Sequence, residues 1–337
     1  MNFELGFDFC LPAEVRRSRT KVGYLSFELL TINFLISLYS MKKDYNIEFS
    51  KGFTLIELLV TVAVLGLLVG GILMSLDIGS IFGKASLTKA KKFAATLERG
   101  ELLLSQVGKW SFEEGSSGTC PDGKDACDTS GYGNNGTLTC IGPGCTLPTW
   151  QTKDQCGLGL GGCLSFGGNG YVNVGDKPSL KITSPPITLT AWIKKNSGDS
   201  YEIVTKGSVA QVVAQEGYGI LVLSDGRIVL GNNPHFLESN TAIKTGQWYH
   251  IVGVINGPNS KIYINGTLDE ATGNVAVSST SIPLTIGAAC SDTSCNNVSL
   301  FFNGLIDEVA IYSKALTASQ IQHLYAQGFI KRAMALK

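Results

Sequence analysis

The sequence predicts an α+β chain, one long N-terminal helix followed by an all-β sandwich. Three observations carry this expectation. An apolar run extends from Phe53 to Leu76, helical periodicity continues beyond it to about Val107, and from Trp110 onward short Val, Ile, Thr and aromatic runs alternate with Gly, Asn, Asp and Pro. The 337 residues hold 27 Lys and Arg against 27 Asp and Glu, so no bulk charge argues for nucleic acid as a partner.

Residues 1–52 read as a leader. Tyr24 to Ser40 is apolar but short, is interrupted by Glu28, and is followed by no small-residue cleavage motif, so it is neither a span nor a signal peptide. Met41 opens a short basic stretch ending at Gly52 and is the expected translation start, which makes residues 1–40 an extension. From Phe53 to Leu76 a helix would be about 36 Å long at ~1.5 Å per residue, enough for a hydrocarbon core of ~30 Å. Fifteen of its residues are Leu, Ile, Val or Phe. Their summed insertion free energy outweighs the roughly +2.5 to +3.5 kcal/mol of one central carboxylate, so 53–76 is the expected membrane helix even with Glu57 inside it. A carboxylate at that depth needs a partner.

The stretch Gly52-Phe53-Thr54-Leu55-Ile56-Glu57, after its basic leader, resembles the class III signal of type IV prepilins and pseudopilins. The resemblance implies that a prepilin peptidase cuts between Gly52 and Phe53 and N-methylates the new Phe53 amine. It also implies that Glu57 neutralises the Phe53 amine of a neighbouring pilin subunit during filament assembly, the inner membrane holding the chain beforehand. The chain departs from many pilins in having Gly66, Gly70 and Gly71, and no Pro, within this helix.

Residues 77–107 form the expected helical stalk. Ile78, Phe82, Ala85, Phe93, Leu97 and Leu104 make an apolar stripe, and Lys84, Lys89, Lys91, Lys92, Glu98, Arg99 and Glu101 a charged face. In pilins the second half of this helix packs on the globular head, and the likeness extends to about Val107. Positive charge flanks the membrane helix on both sides, so orientation is taken from the cysteines. Downstream of the cut they fall into four close couples: Cys120 with Cys127, Cys140 with Cys145, Cys156 with Cys163, and Cys290 with Cys295. Local disulfides are the simplest pairing; zinc is the rival, but no CxxC occurs and His235, His250 and His323 show no metal spacing. Disulfides place the head outside the cytoplasm.

The head, residues 108–330 with Cys-rich loops in 116–163 and a tail at 331–337, contains expected strands at Cys163–Val174, Ile187–Lys195, Gly219–Ser224, Arg227–Gly231, Trp248–Ile255, Lys261–Ile264, Pro283–Gly287 and Gly304–Tyr312. Asp225-Gly226 and Asn265-Gly266 are the expected turns, and Thr317 with Gln320 a capping box opening a short helix that Gly328 would end. Five stretches in order, around Trp110, Asp128–Leu138, Cys163–Val172, Gly246–Gly266 and Phe302–Leu316, resemble the LamG-like concanavalin A-type jelly-roll domain of bacterial surface proteins.

Strand parity puts Asp307 with Leu305, Val309 and Ile311 on an apolar face, where a carboxylate must be paired. The jelly-roll resemblance implies a structural calcium, with Asp307, Asp128 and Glu114 as candidate ligands. Against an enzyme, Asp307 and Glu308 are consecutive rather than alternate, and there is no Glu-x-Asp-x-x-Glu series, no Gly-x-Ser-x-Gly elbow and no Ser, His, Asp set. His250 reads as structural. Tyr132, Tyr218 and Phe236 are the candidate aromatic contacts for a glycan or surface ligand. The expected function is a minor type IV pilin or pilin-like filament subunit displaying this module for adhesion. The alternatives are a type II secretion pseudopilin and a membrane-anchored carbohydrate-processing enzyme. Its expected location is the cytoplasmic membrane, head outward, and then the pilus surface.

Overall fold

Strand-forming residues build two antiparallel sheets whose central strands are buried along nearly their whole length, and turns between them fall where Gly and Asn permit φ > 0. The computed structural model describes residues 84–156, 161–197, 201–207, 217–232 and 235–334. The expected leader, membrane helix and sites at Gly52, Phe53 and Glu57 lie outside these described residues.

A helix, α1 (Lys84–Leu104), leads through the single residue Ser105 into strand β1 (Gln106–Trp110). β2 (Thr137–Cys140), β3 (Thr149–Gln151), the turn-length helix α2 (Lys153–Cys156), β4 (Cys163–Gly167), β5 (Gly170–Gly175), β6 (Ile187–Lys195) and β7 (Tyr201–Gly207) follow. After them come β8 (Gly217–Val222), β9 (Arg227–Asn232), β10 (His235–Ala242), β11 (Trp248–Ile255), β12 (Gly257–Ile264) and β13 (Thr267–Val275). β14 (Leu284–Ile286), β15 (Ala289–Cys290), β16 (Val298–Ser299), β17 (Asn303–Tyr312) and the helix α3 (Ala318–Met334) complete the order. One sheet runs β13-β12-β11-β6-β17-β4-β3, with β1 also on β17; the other runs β10-β9-β8-β7-β14-β5-β2. β4 and β1 share one edge of β17, taking its first and second halves.

The core lies between the sheets. Leu189, Ala191, Ile193, Ile251, Ile262 and Ile311 from one face meet Val172, Ile203, Ile220, Val222, Leu230 and Ile286 from the other, all fully buried or nearly so. The outer face of the β17 sheet has a second apolar layer, in which Val252, Val254, Tyr263, Ala310 and Tyr312 are covered by Leu316 and Ile321.

Several expectations are corrected. The expected single strand Cys163–Val174 is two strands in different sheets, because the chain crosses over at Gly168 (φ +87°). The stalk ends at Leu104 and residues 106–110 are sheet, since Val107 and Trp110 belong to the core. Among the described residues of the stalk's apolar stripe, Phe93 and Leu104 do not pack on the head, being 62% and 69% exposed, and the head is met at the last turn by Leu102 and by a Glu101–Lys314 contact of 3.5 Å. The capping box forms as expected, Thr317 N–H donating to Gln320 Oε1 at 3.0 Å and Gln320 N–H to Thr317 Oγ1 at 3.2 Å. Its helix runs on through Gly328, however, which is a glycine for close approach: a Cβ there would lie 2.8 Å from the Trp192 ring. Polar strands β10 and β13, and β7 with its buried Glu202 and Lys206, have no alternating pattern that sequence reading would detect. The expected turns hold, with Asn265 and Gly266 at φ +52° and +76° and Gly226 at +93°.

Asp269 joins the two sheet edges. It is 6% exposed and accepts the N–H groups of Asn240 (2.8 Å), Thr241 (2.9 Å) and Ala271 (3.2 Å). Burial alone would raise its pKa, but these donors outweigh burial and hold it below the usual aspartate value. Asp269→Ala is expected to cost roughly 2–4 kcal/mol in urea unfolding by orphaning three N–H groups. Because the folded pKa is depressed, the contribution is present above the unfolded value and is lost as pH falls through and below about 4. Asp269→Asn should therefore flatten the wild type's loss of stability over that range.

Candidate functional site

The Cys-rich loops begin where β1 ends. Phe112 is completely buried and has φ +50°, a left-handed conformation uncommon for a bulky residue, and its ring packs on Trp150 at 6.3 Å. This turn separates two consecutive carboxylates. Glu113 is exposed at the surface, whereas Glu114 turns inward and accepts Cys127 N–H at 2.8 Å. Burial pushes the Glu114 carboxyl up, against the lowering effect of that hydrogen bond, and its Oε2 is buried without a partner.

Glu113 forms one wall of an open groove of about 340 Å³, together with Gly115, Trp150, Gln151, Thr152, Lys153, Gly161 and Gly162. Its Oε2 accepts Gly162 N–H at 2.9 Å. The two glycines are sterically required: Gly161 has φ +98° and a Cβ on it would run into the Glu113 carboxylate, while a Cβ on Gly162 would lie 2.8 Å from Phe112 O. The Cys156–Cys163 disulfide staples the segment carrying both, and Trp248 Nε1 donates to Cys156 O at 2.7 Å. Trp110 Nε1 likewise has an acceptor, Asn134 O at 2.9 Å, but the buried indole N–H of Trp150 has none among the described residues. An aromatic ring, a carboxylate held from behind and amide, hydroxyl and ammonium groups at the rim make a surface suited to a polyhydroxylated ligand.

All four expected cysteine couples are disulfides: Cys120–Cys127, Cys140–Cys145, Cys156–Cys163 and Cys290–Cys295. Of the candidate calcium ligands, Asp128 is engaged by the chain itself. Asp128 accepts four hydrogen bonds, from Lys109 N–H and Ser130 N–H at Oδ1 (both 2.9 Å) and from Ser130 Oγ and Asn134 N–H at Oδ2 (both 2.8 Å). Asp307 lies elsewhere than expected because a β-bulge at Glu308 (φ +47°) shifts the register between Asp307 and Ala310. Val309 and Ile311 then face the inter-sheet core while Asp307, opposite Trp192, is buried on the outer face and accepts Glu308 N–H at 2.7 Å. Among the described residues no three His, Cys, Asp or Glu side chains gather as a metal site.

Of the aromatic candidates, Tyr132 and Phe236 are 54% and 44% exposed, but Tyr218 is a core residue, 1% exposed, whose hydroxyl donates to Leu180 O at 2.8 Å. His250 is buried, its ring 5.0 Å from Trp192 and 6.1 Å from Tyr325, as a structural role requires. Sequence reading missed Glu113, Trp150, Gly161 and Gly162. The available signal was the Gly-rich run bracketed by Cys156 and Cys163, directly after an aromatic residue. Thermal melts in calcium chloride and in chelator are expected to coincide, and Tyr218→Phe to lose about 1 kcal/mol of stability with ligand binding unchanged.

Residues 166–322 match the concanavalin A-like lectin/glucanases superfamily, and residues 49–73 the prokaryotic N-terminal methylation motif. The chain thus joins a segment that matches the prepilin-type methylation motif to one that matches the concanavalin A-like domain. No curated protein matches it. Among solved structures it is similar to domain 4 of AbnA, a GH43 extracellular arabinanase from Geobacillus stearothermophilus, in complex with arabinotriose. The identity is 22%, over 66% of this chain and 98% of that one, with a TM-score of 0.48. It is also similar to the binding domain of Paraclostridial Mosquitocidal Protein 1 (16% identity, 67% of this chain, 53% of that one, TM-score 0.47). A botulinum neurotoxin type C structure gives 16%, 68%, 53% and 0.46. At these identities and scores the structural likenesses carry no argument about ligand or activity.

Proposed function

We propose that the protein is a minor type IV pilin or pilin-like filament subunit whose head binds a glycan on a cell or matrix surface, without catalysis. The observation that carries the reading is the union in one chain of the methylation motif at 49–73 with the lectin-like domain at 166–322. Glu57 is the residue of the motif with a physical task. A carboxylate and an ammonium each lose several kcal/mol of solvation in a lipid or helix-packed setting unless they meet, so Glu57 pairs with the Phe53 amine of a neighbour. The prepilin peptidase, other pilin subunits and the inner membrane are then the assembly partners, and the four disulfides suit a head outside the cytoplasm. The groove at Trp150 is the surface offered to the ligand.

The head's bulk favours a sparse or terminal position in a filament over a densely packed shaft. Mass spectrometry of the mature N-terminus is expected to find N-methylated Phe53. Glu57→Ala should leave processing intact but abolish recovery of the protein in sheared filaments. An intact leader, or a different cut, would overturn the filament reading.

A further inference from the structure

We propose that the Trp150 groove binds an uncharged sugar unit, with Glu113 accepting two neighbouring hydroxyls and excluding anionic sugars. This rests on the reading of the head as a glycan-binding module and adds the site and the ligand class. The groove volume of about 340 Å³ is at the lower end of ligand pockets, ~300–1,000 Å³, which fits a chain end or a short segment.

Glu113 is the centre of the argument. Its carboxylate is fixed before any ligand arrives, by the Gly162 N–H at 2.9 Å and by the fit of Gly161 against it. A carboxylate is an acceptor only, with about four lone-pair sites on two oxygens, so its remaining capacity suits a pair of adjacent hydroxyl donors. Those bonds are charge-assisted, stronger than the same hydroxyls make with amides. A uronic, sialylated or sulfated sugar in the same place would put two anions together in a partly enclosed wall, a repulsive element that selects against it. The cation at the rim does not remove that repulsion: Lys153 is exposed and flexible, and an ammonium of this kind contributes little at the surface.

Trp150 supplies the apolar component. It sits between Phe112 and the groove, and among the described residues its buried N–H has no acceptor, whereas Trp110 and Trp248 spend theirs on backbone carbonyls. The strained φ of Phe112, the two glycines and the Cys156–Cys163 bridge all act on the placement of Glu113 and Trp150. Such pre-organisation lowers the ordering cost of binding.

The test is a glycan array of neutral oligosaccharides and their uronic, sialylated and sulfated counterparts, probed with the full chain in detergent and followed by calorimetry on the best binder. Neutral oligosaccharides are expected to lead. Glu113→Gln, which keeps shape but removes charge, should weaken the best of them at least tenfold, and Gly161→Ala should do the same by displacing the carboxylate. Leu268→Ala, at an exposed residue of β13 that does not line the groove, should stay within twofold of wild type, and unchanged thermal melts would confirm that Glu113→Gln folds. A preference for acidic glycans, or neutral binding untouched by both groove variants, would overturn the proposal while leaving glycan binding by the head in place. Binding to no glycan at all would remove the reading of the head, and this site with it.

Discussion

The pairing of β1 with β17 is the contact on which the rest of the head depends. β1 is the first strand after the stalk and β17 the last before the C-terminal helix, so their ladder joins the two ends of the domain. Around it Gln106 Nε2 donates to the Tyr312 hydroxyl at 3.0 Å, Ser313 N–H donates to Ser105 O at 2.8 Å, and Lys109 meets Glu308 at 3.3 Å. With one residue between α1 and β1, the stalk has no flexible linker to the head.

The same strand positions the loops. Immediately beyond Trp110 the chain turns at Phe112 and enters the Cys-rich segment, so the groove is fixed relative to the sheet by core packing rather than by the loops alone. The loops themselves are organised on carboxylates that receive backbone N–H groups. Asp128 does this between the first two disulfides, and Asp292 within the Cys290–Cys295 loop accepts Ser294, Asn296 and Asn297 N–H. Those three donors hold the exposed Asp292 below the usual aspartate pKa. Asp128 and Asp292, acidic side chains at turns that resemble metal ligands in a sequence, are here occupied by the chain's own amides.

Legibility in the sequence followed the range of the interaction. The capping box at Thr317 and Gln320, the Asn265-Gly266 turn and the four disulfide couples were readable because each is decided within a few residues. Strands rich in β-branched and aromatic residues, such as β6 and β11, were found as well. The first two residues of β1, Gln106 and Val107, read as stalk because Gln106, Gly108 and Lys109 have no strand pattern of their own and are sheet only because β17 is beside them. The face of Asp307 was wrong for a similar reason: one bulged residue reverses parity, and bulges leave no local signal.

The sequence by itself determined the methylation motif at 49–73, the β composition of the head and the disulfide pairing, because a short motif, strand preference and short loop closure are local or compositional. Only the tertiary structure decided that Tyr218 is core, that Gly328 lies on Trp192, and that Glu113, Trp150, Gly161 and Gly162 share one groove. These residues are up to 49 positions apart in the pair Glu113 and Gly162. Nothing short of the folded sandwich brings them together, since their contacts follow from how β1, β3 and β4 are ordered around β17.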